Sequence, residues 1–182
     1  MANLAFRLLL AFNATSLLLI VFLVQRGETL GKLIPMFPVL IQLPNPISYT
    51  IYLLVPIALT GVSILLSSCL GKDEFKKGGV KSIEHANNSF LPSYLGYFFV
   101  ALSINSWEAL WFVYIVLFTF TFLSQALYFN PLFLLYGYEF YNINTSNGTA
   151  IFLISKNQYK KPSDIEIPAA YRINNYTFIE KG

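Results

Sequence analysis

The sequence predicts an all-α polytopic membrane protein: four transmembrane helices with a small C-terminal cytoplasmic β hairpin or sheet unit. Three observations carry that expectation. Of 182 residues, 55% are hydrophobic and only 12% are charged, about half the charged share of an ordinary soluble domain. Four apolar runs follow one another through residues 1–130, and the basic residues gather between and after them. Mean hydropathy is +0.57, too high for a soluble domain of this size or for a disordered or disulfide-stapled chain. One cysteine and one histidine exclude an intrachain disulfide, a cysteine-based zinc site and a His-pair metal motif.

A membrane helix needs about 20 mostly apolar residues to cross roughly 30 Å. The first span is expected over residues 4–24. Leu8–Val24 is free of charge and ends at Gln25–Arg26. Arg7 lies near its start, where a long stem can reach the interface. Arg7 before an apolar run also has the shape of a signal peptide. The length of the run, and the lack of a small-x-small cleavage site after it, favour a retained helix.

Residues 26–46 form an outer loop. Leu33–Leu43 is apolar, but Pro35, Pro38, Pro44 and Pro46 punctuate the segment and forbid a regular helix. It reads as an extended or re-entrant flap that packs over helix ends or presents a cap or sensing surface. The second span is expected over 47–70, with Pro56 and Gly61 tolerated inside a membrane helix. The third, over 91–105, is short, at about 22 Å. The fourth covers 107–127, and Ile104–Glu108 joins the last two as a helical hairpin.

Charge sets the orientation. Arg7, Lys72, Lys76, Lys77, Lys81, Lys156, Lys160, Lys161, Arg172 and Lys181 fall on one side, and Arg26 and Lys32 on the other. The positive-inside rule places both termini and the Gly71–Phe90 loop in the cytoplasm. Trp107 and Trp111 are the outer aromatic anchors; Tyr94, Tyr97 and Tyr128 are the inner ones. Residues 131–182 make the cytoplasmic β-rich tail. Asn147–Gly148 is a hairpin signal between Phe140–Ile143 and the β-rich run Thr149–Ser155. Tyr171–Ile179 is one further strand, reached through the turn region Pro162–Pro168. So small a unit has little core of its own. It leans on the bundle, a second copy or a partner, and its sheet edge suits strand addition.

No catalytic constellation is present, so no enzyme, cofactor or metal is expected. His85 beside Glu84 reads as a solvated loop residue, and Cys69 as a packed thiol rather than a lipidated one. Gly78–Gly79 among lysines lacks the Walker spacing. A proton-coupled transporter needs an ionisable group at mid-membrane, and none is present. Asn13 and Ser16 share one helix face, and Thr121 and Gln125 another. They are interhelical glue, or they line a narrow polar path in an oligomer. Lys72, Lys76, Lys77 and Lys81 with Lys160 and Lys161 form a basic skirt toward anionic lipid or an acidic partner. Asp73, Glu74 and Glu84 dilute it, so direct nucleic-acid binding is not expected. Phe140, Ile151 and Phe152 are the tail's candidate partner contacts.

The junction Asn130-Pro131-Leu132-Phe133-Leu134-Leu135-Tyr136-Gly137-Tyr138-Glu139-Phe140-Tyr141, followed by Asn147-Gly148-Thr149-Ala150-Ile151-Phe152-Leu153-Ile154-Ser155-Lys156, resembles the KwaA family, the membrane subunits of the bacterial Kiwa anti-phage defence system. The resemblance implies a homo-oligomer, a tetramer, in the inner membrane. It further implies a sensor of phage attack at the envelope that holds a cytosolic DNA-binding partner of the KwaB kind. The motif is structural and assigns no role to individual residues. The alternative is an oligomeric pore-forming membrane effector or channel. A lipid-directed membrane enzyme would need paired acids or a nucleophile with a base near the interface, and no such cluster is present.

Overall fold

The computed structural model describes residues 2–89, 91–124 and 130–182. The helices in chain order are α1 (Ala2–Gln25), α2 (Leu30–Leu33), α3 (Pro38–Ile41), α4 (Asn45–Leu66), α5 (Leu91–Ser103) and α6 (Trp107–Leu123). The strands are β1 (Lys72–Phe75), β2 (Val80–His85), β3 (Glu139–Thr145), β4 (Ala150–Ser155), β5 (Ile167–Arg172) and β6 (Thr177–Glu180).

Helix α1 is central, and α4, α5 and α6 all pack against it. Its C-terminus closes with Gly27 at φ +64°. Glu28 N–H donates to the Leu23 carbonyl at 2.9 Å and Gly27 N–H to that of Val24 at 3.1 Å, which satisfies carbonyls the helix end leaves free. Just beyond, Gln25 Nε2 and Arg26 Nη1 donate to the carbonyls of Leu102 (2.8 Å) and Asn105 (3.0 Å) at the far end of α5. Ser106 caps α6 by accepting from Ala109 N–H at 3.2 Å, with Glu108 in the positive first turn.

Helix α4 is amphipathic in the inverted sense. Ser48, Tyr52, Pro56, Thr60 and Ser63 recur every three or four residues and are buried. Ile47, Leu53, Leu54, Val55, Val62, Leu65 and Leu66 face outward. A helix on a water-soluble core shows the reverse. Small and polar residues between helices, with apolar ones outside, suit a hydrocarbon surround. Ser63 Oγ donates to the Leu59 carbonyl at 2.9 Å, and Ser48 Oγ is buried without a hydrogen-bond partner among the described residues.

The expectation of four spans does not hold. Among the described residues two helices, Leu4–Gln25 and Asn45–Cys69, are long and apolar enough to cross a membrane. With 13 residues in α5 and 17 in α6, these two reach about 20 and 26 Å, short of a hydrocarbon core of roughly 30 Å. The sharp turn over 104–106 ends one and starts the other. The last residues of the expected fourth span, from Gln125 on, lie outside the described residues.

The all-α description fails as well, because the molecule is mixed α/β. The segment read as a cytoplasmic loop contributes β1 and β2, and the tail contributes four strands rather than a hairpin and one more. The sheet runs β1-β5-β6-β4-β3-β2, antiparallel throughout except for the parallel β4–β6 pair. Only residues 76–79 connect β1 to β2, yet these strands lie at opposite ends of that order. The sheet therefore curls into an open barrel whose edge strands approach at that turn without pairing. Gly79 N–H bonds to the Lys76 carbonyl at 2.9 Å, and Gly78 takes φ +83°. The charges that made KDEF and VKSIEH read as loop are what natural edge strands carry.

Each strand alternates between two apolar cores. Val80, Tyr141, Ile143, Ile151, Leu153, Ile167 and Phe178 fill the barrel. Phe140, Phe152, Ile154 and Ile179 point the other way and pack on Phe6, Leu10 and Ala11 of α1. Asn147–Gly148 does turn a hairpin. Gly148 N–H and Thr145 N–H bond to Thr145 and Thr149 carbonyls, both at 2.9 Å, which makes a three-residue loop ending in a left-handed glycine. The expected single strand over Tyr171–Ile179 is split in two. Asn174 Oδ1 accepts from the N–H groups of Tyr176 and Thr177, both at 2.8 Å, and folds the chain back on itself.

Candidate functional site: a buried polar lock

Asn13 lies near the middle of α1, wholly buried, where a polar side chain without partners costs a few kcal/mol. It finds them on two other elements. With its amide oxygen facing the donors, Asn13 Oδ1 accepts from Thr60 Oγ1 at 2.6 Å and Asn130 Nδ2 at 2.9 Å, and its Nδ2 donates to the Pro56 carbonyl at 3.1 Å. Asn130 Nδ2 also donates to Thr60 Oγ1 at 3.1 Å. Asn13 and Thr60 are wholly buried, and Asn130 is 1% exposed. Three neutral side chains thus form one closed network joining α1, α4 and the segment that leads into the barrel.

That segment is held by the same residue. Asn130 Oδ1 accepts from Leu132 N–H at 3.0 Å and so caps a 3₁₀ turn, Pro131–Tyr136, with proline at its first position. Gly137 ends the turn at φ +75°. Phe133 is fully buried under it. Tyr136 Oη reaches across α4 to the Ile57 carbonyl at 2.8 Å, over Gly61, where a Cβ would lie 2.7 Å from that oxygen. Thr60 lies six residues before the end of α4, so the turn grips the helix roughly 10 Å inside it.

Of the polar pairs expected from sequence, the structure does not bring the two faces together. Asn13 faces α4. Ser16 Oγ donates back to the Asn13 carbonyl at 2.7 Å. Thr121 meets Tyr97 of α5 at 3.3 Å beside a cleft of about 180 Å³. Gln125 lies outside the described residues. Sequence reasoning missed Thr60 and Asn130. Asn before Pro131 was a capping signal, and Thr60-Gly61 interrupts an apolar run.

Lys72, Lys76, Lys77, Lys81, Lys160 and Lys161 are all exposed. The short turn after Lys161, Pro162–Asp164, packs on β2 and so brings Lys160 and Lys161 to the strand that carries Lys81. Lys76 and Lys77 sit in the β1–β2 turn. Phe140, Ile151 and Phe152 are core residues rather than partner contacts: the rings of Phe140 and Phe152 stack at 5.7 Å, and Ile151 lies inside the barrel. Cys69 is exposed rather than packed. His85 stands on β2 and pairs with Glu139 at 3.3 Å.

A second polar group surrounds that pair. Tyr141 Oη donates to Glu139 Oε2 at 2.6 Å. Tyr159 Oη donates to the buried Glu180 at 2.9 Å, which also accepts from Ser155 Oγ (2.6 Å) and Asn157 Nδ2 (2.8 Å). Burial first, then the neighbouring carboxylates, push both phenols up to about 12. They are fixed hydrogen-bond donors at neutral pH rather than acids or bases. Among the described residues no group of three His, Cys, Asp or Glu side chains is placed to hold a metal ion.

The family model for the anti-phage protein KwaA matches residues 6–179. The chain belongs to the KwaA family of anti-phage proteins. The KwaA match spans helices and barrel alike and includes every member of the polar lock. No curated protein and no solved structure matches the chain.

Proposed function

We propose that this KwaA-family chain is a non-enzymatic sensor and anchor of a defence complex. It sits in the bacterial inner membrane, oligomerises, and recruits a cytosolic DNA-binding effector subunit to its barrel side. The inverted α4, with Ser48, Tyr52, Pro56, Thr60 and Ser63 inside and leucine, isoleucine and valine outside, is the observation that carries the membrane part. Helices α1 and α4 run antiparallel, so the start of α1, the end of α4 and the barrel share one end. That end carries the basic skirt and is the end assigned to the cytoplasm. Lys181 fastens it: its Nζ donates to the Leu65 carbonyl at 3.2 Å and to Ser68 Oγ at the close of α4.

The test is a pull-down of the tagged chain from detergent-solubilised bacterial membranes, with native mass determination. A homo-oligomer carrying a stoichiometric soluble DNA-binding protein is the expected result. A bare oligomer that conducts ions in liposomes would replace this reading with a pore.

A further inference from the structure

The connection between α1 and α4 presents an apolar surface that nothing among the described residues covers. Met36 is 84% exposed, Val39 74%, Ile41 61% and Phe37 59%. Its backbone is nevertheless fixed. Helices α2 and α3 cross so closely at Gly31 that a Cβ there would lie 2.6 Å from Ile41 Cα. Pro38 starts α3 at its first position, and Lys32 Nζ donates to the Gly27 carbonyl at 2.8 Å.

We propose that the α2–α3 hairpin is a lipid-binding wedge, seated among the acyl chains and phosphate headgroups of the leaflet farthest from the barrel. The proposal rests on the membrane reading above. Its level in the molecule comes from two contacts. Tyr52 Oη donates to the Glu28 carbonyl at 3.1 Å, which pins the start of the hairpin beside the second turn of α4. Arg26 reaches Asn105 at the same end, next to Trp107 and Glu108. This ring of charge and tryptophan is what a membrane–water boundary attracts. The apolar surface is continuous with the outward face of α4 at Ile47 and Leu54, both exposed. The segment from Arg26 to Thr50 carries Arg26 and Lys32 against one acid, Glu28, a net positive charge suited to phosphate headgroups. A fixed, uncovered apolar patch of this kind marks an interaction site, and the adjoining hydrocarbon-facing helix makes lipid its occupant.

The experiment places nitroxide spin labels on the full chain in a Cys69→Ser background. Met36→Cys, Val39→Cys and, as the membrane reference, Leu54→Cys are labelled separately and reconstituted into phosphatidylethanolamine–phosphatidylglycerol vesicles. Labels at Met36 and Val39 should collide with dissolved oxygen and lose collisions with a water-soluble nickel chelate, as the label at Leu54 does. Nickel access at Met36 and Val39 with a lipid-buried Leu54 overturns the wedge and leaves the membrane reading intact. Nickel access at all three overturns both. Protection from both reagents at Met36 and Val39 means protein covers the hairpin, a second copy included, and also overturns the wedge.

Discussion

The phenol oxygen of Tyr136 fills the space a side chain on Gly61 would need, 2.7 Å from where its Cβ would stand. Alanine in place of mid-helix glycine ordinarily gains about 1 kcal/mol. Here the methyl group would displace Tyr136 from Ile57 and forfeit about 1 kcal/mol of hydrogen bond. Gly61→Ala alone should therefore change unfolding in detergent little. The same substitution on a Tyr136→Ala background should stabilise by about 1 kcal/mol. Equal effects in the two backgrounds would show that the contact is not felt.

Removing one member of the polar lock leaves the others buried without partners. Asn13→Leu and Thr60→Val should each cost about 1–3 kcal/mol. The double variant should cost less than their sum, because Asn130 can be stranded only once. Liposome flux measured on the same variants separates the lock from a pore, since the lock reading expects no change in conductance. An additive cycle would mean that the two side chains act independently.

Alkaline pH should loosen the barrel. Tyr141 and Tyr159 are held protonated up to about 12, above the phenol's usual value of about 10. Their contribution to stability is therefore complete below pH about 10 and is lost as pH climbs toward about 12. Absorbance at the tyrosinate band and melting temperature should move together across that window. Tyr141→Phe and Tyr159→Phe should weaken the fall in melting temperature. A melting temperature flat to pH about 12 would contradict the assignment.

Surface and core substitutions should separate partner binding from folding. Lys76→Ala, Lys77→Ala, Lys160→Ala and Lys161→Ala together should leave melting unchanged to within about 0.5 kcal/mol per site while releasing the cytosolic partner from membranes. Phe140→Ala or Phe152→Ala should cost about 3–5 kcal/mol and abolish the barrel. A partner that stays bound to the fourfold lysine variant would move the docking surface elsewhere.

Hydropathy made α1 and α4 legible, because both are long apolar runs, and Gly148 announced its hairpin locally. The barrel was hidden for a physical reason. Lys72–Phe75 becomes a strand by pairing with Ile167–Arg172, and no local pattern carries that information. The turn between α5 and α6 was legible at Ile104–Glu108, but apolar composition does not say that helices of 13 and 17 residues fall short of a span. Asn13 was visible as a polar residue in an apolar helix. Its partners Thr60 and Asn130 come from segments 47 and 117 positions away, so their convergence belongs to the tertiary structure alone.

The curled sheet also sets an order of events during synthesis. β1 and β2 emerge before α5 and α6, but their neighbour strands β5 and β3 come far later. These two charged segments must wait unpaired while α1 and α4 are already synthesised. Such distant pairing is slow to form, and it depends on the last strand, Thr177–Glu180, being delivered. A chain cut short anywhere in the tail would retain its apolar helices and display no barrel. Assembly of the six-stranded sheet is thus timed by completion of the polypeptide.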